Sequence, residues 1–267
     1  MSEETLNGFT AEASRPARAM SRWKASAIHL SISLSIGTVV LLSMLLVWFP
    51  QPYLQAAGAV HLFLVLLGVD VVLGPMITLI IFNTKKKHLK LDLAVIGAVQ
   101  VAALVYGLNV MVQARPAYVV FVVDRFELVL ASDIAPEELA KASATEFAHL
   151  PIAGPKLVWA DMPSDPKERE RILFSAVDGG ADLEDFPQHY VRYEDRRARA
   201  RDKAQPLAKL KELNPAKSAL IDAAVKASGL AESQIAWLPM RAKKEDMAVL
   251  LNANTGDVLS VVPVAPW

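Results

Sequence analysis

Hydrophobic positions along this chain follow two regimes. Residues 25–113 carry three nearly unbroken apolar runs, whereas from residue 114 onward apolar positions alternate with polar ones at the short periods of strands and helices. The runs at residues 25–49, 60–82 and 91–113 are each long enough to cross a hydrocarbon core about 30 Å thick. The first could be a cleaved signal peptide with a site after Ala57-Gly58-Ala59, but its apolar stretch is too long and a second run follows at once. Residues 1–20 are polar, lack apolar periodicity and are predicted to be a disordered cytoplasmic N-terminus. The pattern predicts an integral membrane α-helical protein with three spans in residues 21–113 and a small α+β extramembrane domain in residues 114–267.

Within that domain, residues 118–123 and 126–130 are β-branched and aromatic runs joined at Asp124-Arg125, the pattern of a hairpin directly on the membrane anchor. Asp133 is suited to cap a short helix entered through Pro136, with Glu137 and Glu138 in its first turn. KLVWA at residues 156–160 reads as a strand, and Asp165-Pro166 opens an amphipathic helix to about Val177, ended by Gly179-Gly180. Residues 184–203 read as helix interrupted near Pro187. Asn214-Pro215 starts the clearest helix, stopped by Gly229, and a second hairpin turns at Asn254-Thr255-Gly256-Asp257. With two apolar hairpins and a strong helix, residues 117–267 are expected to fold without the spans.

Charge adds orientation. The 267 residues hold 28 basic and 28 acidic side chains, 53% hydrophobic residues and a mean hydropathy of +0.30. Arg15, Arg18, Arg22 and Lys24 flank the first run, and Lys85, Lys86, Lys87 and Lys90 lie between the second and third, while residues 50–59 carry no charge. The positive-inside rule then puts the N-terminus in the cytoplasm and everything after Arg115 outside, which in a Gram-negative bacterium means the periplasm. Arg22, Trp23 and Lys24, with Lys85 to Lys87, are the expected topology anchors; Tyr53, close to Trp48 and Phe49, has the composition of an aromatic belt. Residues 114–267 hold twenty Lys/Arg against twenty-three Asp/Glu, which argues against nucleic acid as a partner. The chain contains no cysteine, so disulfide and thiolate chemistry are excluded.

The residue that stands out is Asp70, a carboxylate in the middle of the second run. A charge near the centre of a spanning helix costs roughly 2.5–3.5 kcal/mol on insertion scales, so such a residue is a functional-site hypothesis. At a 1.5 Å rise it lies about 18 Å from the end of its run at Phe82, and Ser35, Thr38, Gln100 and Tyr106 fall at similar depth. Two readings are open: a polar clasp holding three helices in register, or a contact to a client inside the membrane. Gly74-Pro75 frees a helix carbonyl and permits a kink or close approach. Ala94, Ala98 and Ala102 form a small-residue ridge suited to helix packing.

Catalytic signatures do not emerge. The five histidines show no metal-ligand spacing, and neither a GxSxG nor a GxxxxGK[ST] sequence occurs. Asp92 sits about 16 Å from the level of Asp70, too far to share a proton as an aspartyl dyad does, and is better placed as a partner for Lys85 to Lys87. Residues 192–203 (RYEDRRARARDK) read as a solvated helix face laced with acidic residues. No enzyme activity, metal or cofactor is expected.

Several of these stretches also carry a resemblance. MSRWKASAIH at residues 20–29, LGVDVVLGP at 67–75, Phe82-Asn83 with Lys85 to Lys87, LDLAVI at 91–96 with Gln100, Tyr106-Gly107, Ala114-Arg115-Pro116 and YVVFVVDRF at 118–126 resemble the TfpX/TfpZ family of type IV pilin accessory proteins. The resemblance is dense over residues 20–129 and afterwards is limited to the closing Pro266-Trp267. It implies an inner-membrane protein that assists pilin stability or pilus assembly without being an enzyme. Its expected partners are type IV pilin subunits, other pilus assembly proteins and the lipid bilayer. A second reading from the residues alone is a membrane-anchored sensor or transporter accessory subunit whose external domain binds a small ligand.

Overall fold

A computed structural model describes residues 20–142 and 145–267; of the N-terminal stretch read as disordered, only Met20 is among them. Three helices are long and apolar enough to cross a membrane: Arg22–Trp48, Ala59–Ile81 and Leu89–Gln113. The first is capped by the Ser21 hydroxyl, which accepts from the Lys24 N–H at 3.2 Å. Each span leaves most of its surface uncovered by protein, with Val39, Leu46, Ile80 and Val99 pointing outward. Such a surface is stable only in hydrocarbon. The first and third spans pack chiefly on the second, which forms the back of the bundle.

The second span is irregular where the sequence says it must be. Pro75 has no N–H to offer the carbonyl four residues earlier, and the segment just before it, Val69–Leu73, is wound as a π-helix around Asp70. Lys86 Nζ meets Asp92 Oδ2 at 3.0 Å in the turn that leads into the third span, the pairing expected for Asp92.

Beyond the third span lies an eight-stranded mixed sheet: β1 (Pro116–Val122), β2 (Arg125–Leu130), β3 (Lys156–Ala160), β4 (Tyr190–Arg192), β5 (Gln205–Pro206), β6 (Ile235–Arg241), β7 (Met247–Asn252) and β8 (Val258–Val262). The spatial order is β4-β3-β1-β2-β6-β7-β8, with β5 on β6. Both expected hairpins are present as antiparallel pairs, β1–β2 and β7–β8, and parallel pairings of β1 with β3 and β2 with β6 join them into one sheet.

Every residue of β1 is buried, because both faces of the sheet are covered. Tyr118, Val120 and Val122 face one core with Val158, Ile172 and Tyr190, while Val119 and Phe121 face another with Phe126, Trp159 and Leu238. Helix Pro166–Val177 closes the first core through Ile172; helices Leu207–Leu213 and Ser218–Ser228 close a third, beneath Trp237 and Leu250.

The loop between the first two spans contributes to the second of these cores. Ala56 is fully buried in it, Tyr53 packs against it, and Phe49 is fully buried in the bundle's own outer cluster. The aromatic-belt reading of this loop is therefore corrected: its rings are covered by protein, not by headgroups.

Three further local expectations change. Asp133 caps no helix; its Oδ2 accepts from the Leu130 N–H at 2.9 Å and ties the turn to the end of β2, and the helix Pro136–Lys141 begins after Ala135. Residues 184–203 are short 3-10 turns around β4, followed by only Arg197–Arg201 as helix. Tyr190 and Tyr193 must enter opposite cores, which three-residue spacing on one helix face does not allow. Strand β6 is not among the expected strands, and it carries Pro239, a residue unusual inside a central strand. Pro239 sits where β6 passes from β5, paired through Trp237, to β2, paired through Met240, so the ladder is already interrupted there.

Candidate functional site

Because the outer spans lean on the second, they leave a groove between them, a cavity of about 380 Å³. Its walls are apolar, formed by Ile28, Ile32 and Ile36 of the first span and Leu93, Val101 and Leu104 of the third. Ile28, Ile32, Ile36 and Val101 remain exposed, so the groove opens sideways, toward where lipid would lie.

Its polar lining comes from all three spans: His29 and Ser33, Asp70 and Thr78, and Gln100. His29 Nδ1 and Thr78 Oγ1 are 2.6 Å apart, and the Ser26 hydroxyl donates to the Pro75 carbonyl at 2.9 Å, so the first span is bonded to the second at the helix break and one turn beyond it. Asp70 Oδ1 is buried and has no hydrogen-bond partner among the described residues.

Gly74 explains how close the third span's amide comes. A Cβ there would lie 1.9 Å from Gln100 Nε2 and 3.0 Å from His29 Nε2. Only a residue without a side chain leaves room for both groups to converge on the break. Gly74-Pro75 thus supplies both the π-wound turn that carries Asp70 and the space its neighbours occupy.

Of the four residues expected to meet in the membrane, the structure brings Asp70 and Gln100 to one cavity and leaves Ser35 and Tyr106 outside it. The Ser35 hydroxyl donates to the Ser31 carbonyl of its own helix at 2.8 Å on an exposed face, and Thr38 does the same to Leu34. Tyr106 is 72% exposed on the outer side of the third span. Counting residues gives depth along a helix but not azimuth about it, and these side chains share the depth of Asp70 while pointing elsewhere.

His29, Ser33 and Thr78 were not singled out, although Ser26, His29 and Ser33 fall at i, i+3 and i+7, one stripe of a helix. That spacing was the available signal. Ala94, Ala98 and Ala102 are likewise corrected: all three are exposed, so the ridge packs against no other span of this chain. The anchors Arg22, Trp23 and Lys24 occupy the exposed first turn of the first span, and Lys85, Lys86 and Lys87 the exposed turn after the second.

A second, polar cavity of about 150 Å³ lies in the sheet domain, lined by Glu127, Asp133, Glu184, Asp185, Arg241 and Lys243. Glu127 is buried and paired with Arg125. Burial, together with the carboxylates of Glu127, Asp182 and Asp185, pushes the Glu184 carboxyl up to about 7. Burial pushes Asp185 up to about 6, against the Asp182 N–H that it accepts and the nearby Lys243. Among the described residues, no group of three or more histidine, aspartate or glutamate side chains is placed to hold a metal ion.

Comparison with known proteins points to fimbrial assembly. Residues 17–58 match the family model of fimbrial assembly protein FimB. The chain is 30% identical over 235 residues to the serogroup I fimbrial assembly protein of Dichelobacter nodosus, covering 86% of this chain and 91% of that protein. It is 29% identical over the same length to the serogroup E1 protein of that organism, and 35% identical over 121 residues to the protein of serogroups C1 and C2. No solved structure matches. A similarity that runs through the spans and most of the sheet domain makes this chain a member of the fimbrial assembly protein family.

Proposed function

We propose that this protein is an inner-membrane accessory of type IV pilus assembly that binds pilin subunits before or during their incorporation, and that it catalyses no reaction. A pilin offers an apolar N-terminal helix and an external globular head. The groove suits the first, and the sheet domain stands next to where the second would emerge. The observation that carries this reading is the sideways-open groove, lined by a carboxylate oxygen that has no partner among the described residues.

The orientation follows the distribution of Lys and Arg: N-terminus in the cytoplasm, sheet domain in the periplasm, where assembling subunits expose their heads. A photo-crosslinking residue in place of Ile32, on the groove wall, should capture pilin in living cells, and the same residue in place of Val39, on the outward face, should not. Equal capture from both positions would remove the groove from the mechanism. Reporter fusions after Leu89 and after Trp267 should report cytoplasm and periplasm respectively.

A further inference from the structure

We infer that the groove is a counter-ion receptor: Asp70 accepts a positive charge carried at mid-membrane depth by an incoming apolar helix. This rests on the groove being the subunit-binding site and names the chemistry that selects the occupant. The first observation is that Asp70 Oδ1 is buried and has no hydrogen-bond partner among the described residues. A carboxylate oxygen left in that state in hydrocarbon is costly, and a partner that ionises or donates to it recovers the cost on binding.

The second observation is that none of the polar groups lining the groove bonds to that oxygen. His29 is bonded to Thr78, the Ser26 hydroxyl to the Pro75 carbonyl, and the Gln100 amide is packed on Gly74. None of them satisfies the oxygen.

Third, the chain brings no Lys or Arg of its own to that depth, and the groove's one other ionisable side chain, His29, is bonded to Thr78. No Lys or Arg occurs between Lys24 and Lys85 or between Lys90 and Arg115. Asp70 is about 16 Å from the Ala59 end of its span and about 18 Å from Phe82 at the helical rise, beyond the reach of a snorkelling side chain at either end. A second copy therefore supplies no charge at that depth, and lipid amines stay in the headgroup layer. The occupant that fits is a single apolar helix of another protein bearing a lysine, an arginine or a terminal ammonium opposite Asp70.

The test uses the full chain in phosphatidylcholine vesicles with a photo-crosslinking residue replacing Ile32. The probes are two synthetic spanning helices of leucine and alanine, identical except for a central lysine in one. The lysine helix should be labelled on the order of tenfold more than the other, the upper range for one intramembrane polar contact. Asp70→Asn should bring the ratio to about unity and Asp70→Glu should restore it, because charge rather than shape is at issue.

Equal labelling of both helices by the wild-type chain, or a preference that survives Asp70→Asn, overturns the inference. Pilin capture at Ile32 in cells separates the two claims. Capture that is unchanged by Asp70→Asn, at normal membrane abundance, keeps the groove and discards the counter-ion. Loss of capture in the wild type discards the assembly reading, even where the lysine helix is still preferred.

Discussion

The backbone N–H of Lys244 donates to the carbonyl of Ala56 at 2.9 Å, joining two residues that lie far apart in the sequence. Ala56 lies in the loop between the first two spans, and Lys244 in the turn between β6 and β7. On the opposite side, the Gly154 N–H reaches the Val47 carbonyl at 2.7 Å. The sheet domain is thus tied to the bundle by more than the chain that leaves the third span.

This contact changes what is expected of the isolated domain. Ala56 is fully buried beside the core that contains Phe121 and Trp159. Ala56→Leu should overpack that core and lower the stability of the full chain in detergent by about 1–3 kcal/mol. A fragment beginning at Pro116 lacks Tyr53 and Ala56 altogether and should melt earlier than the same residues in the full chain. A melt indistinguishable from the full chain would show the loop to be a passive lid.

Acid should stabilise the sheet domain in one window. The folded-state pKa of Glu184 is raised to about 7 and that of Asp185 to about 6, above their ordinary values of 4.5 and 3.8. The native state therefore holds protons that the unfolded chain has already released. This contribution is fully present below the ordinary carboxylate range and is lost as pH rises through about 6 to 7. The stability of the full chain should fall between pH 5 and pH 8 by on the order of 3 kcal/mol at most, read as a lower melting temperature. Asp185→Asn should flatten the slope. Glu168, held down to about 2 chiefly by its hydrogen bond from Arg171, acts in the opposite sense only when pH falls below the ordinary range.

Gly256 should tolerate no side chain. Its φ is +79°, and a Cβ would lie 2.3 Å from the Arg197 carbonyl oxygen, while its own carbonyl accepts from the Tyr193 hydroxyl at 2.7 Å. Gly256→Ala combines a left-handed backbone with a clash against main chain, and should cost more than about 1 kcal/mol. Thermal denaturation with retained membrane abundance is the measurement. A neutral result would mean that the turn can open without loss.

Polar residues of equal depth should differ by azimuth. Thr78→Val removes the partner of His29 and should destabilise the bundle by about 1 kcal/mol, read as lower thermal stability in detergent and lower abundance in membranes. Ser35→Ala removes a hydroxyl bonded only within its own helix, and should stay within about 0.5 kcal/mol of the wild type. If Ser35→Ala proved the more damaging of the two, the lining of the groove would have to be redrawn.

Much of the architecture follows from local pattern, because the forces that write it are local. Unbroken apolar runs longer than a bilayer is thick have no stable place but a membrane, and Pro75 disturbs a helix wherever it occurs, so the spans and the irregular turn around Asp70 were legible from residues alone. The β1–β2 and β7–β8 hairpins were legible too, since each is closed by its own short turn. Tertiary structure decided the rest. Strand β6 owes its existence to partners far away in sequence, which outweigh the local vote of Pro239. Residues 184–203 gave up helix because Tyr190 and Tyr193 are drawn into opposite cores. In the membrane, sequence placed Asp70, Gln100, Ser35 and Tyr106 at one height, but only packing chose which way each helix faces. That choice, made by the Ser26, His29 and Gly74 contacts, put Asp70 and Gln100 in the groove and turned Ser35 and Tyr106 outward.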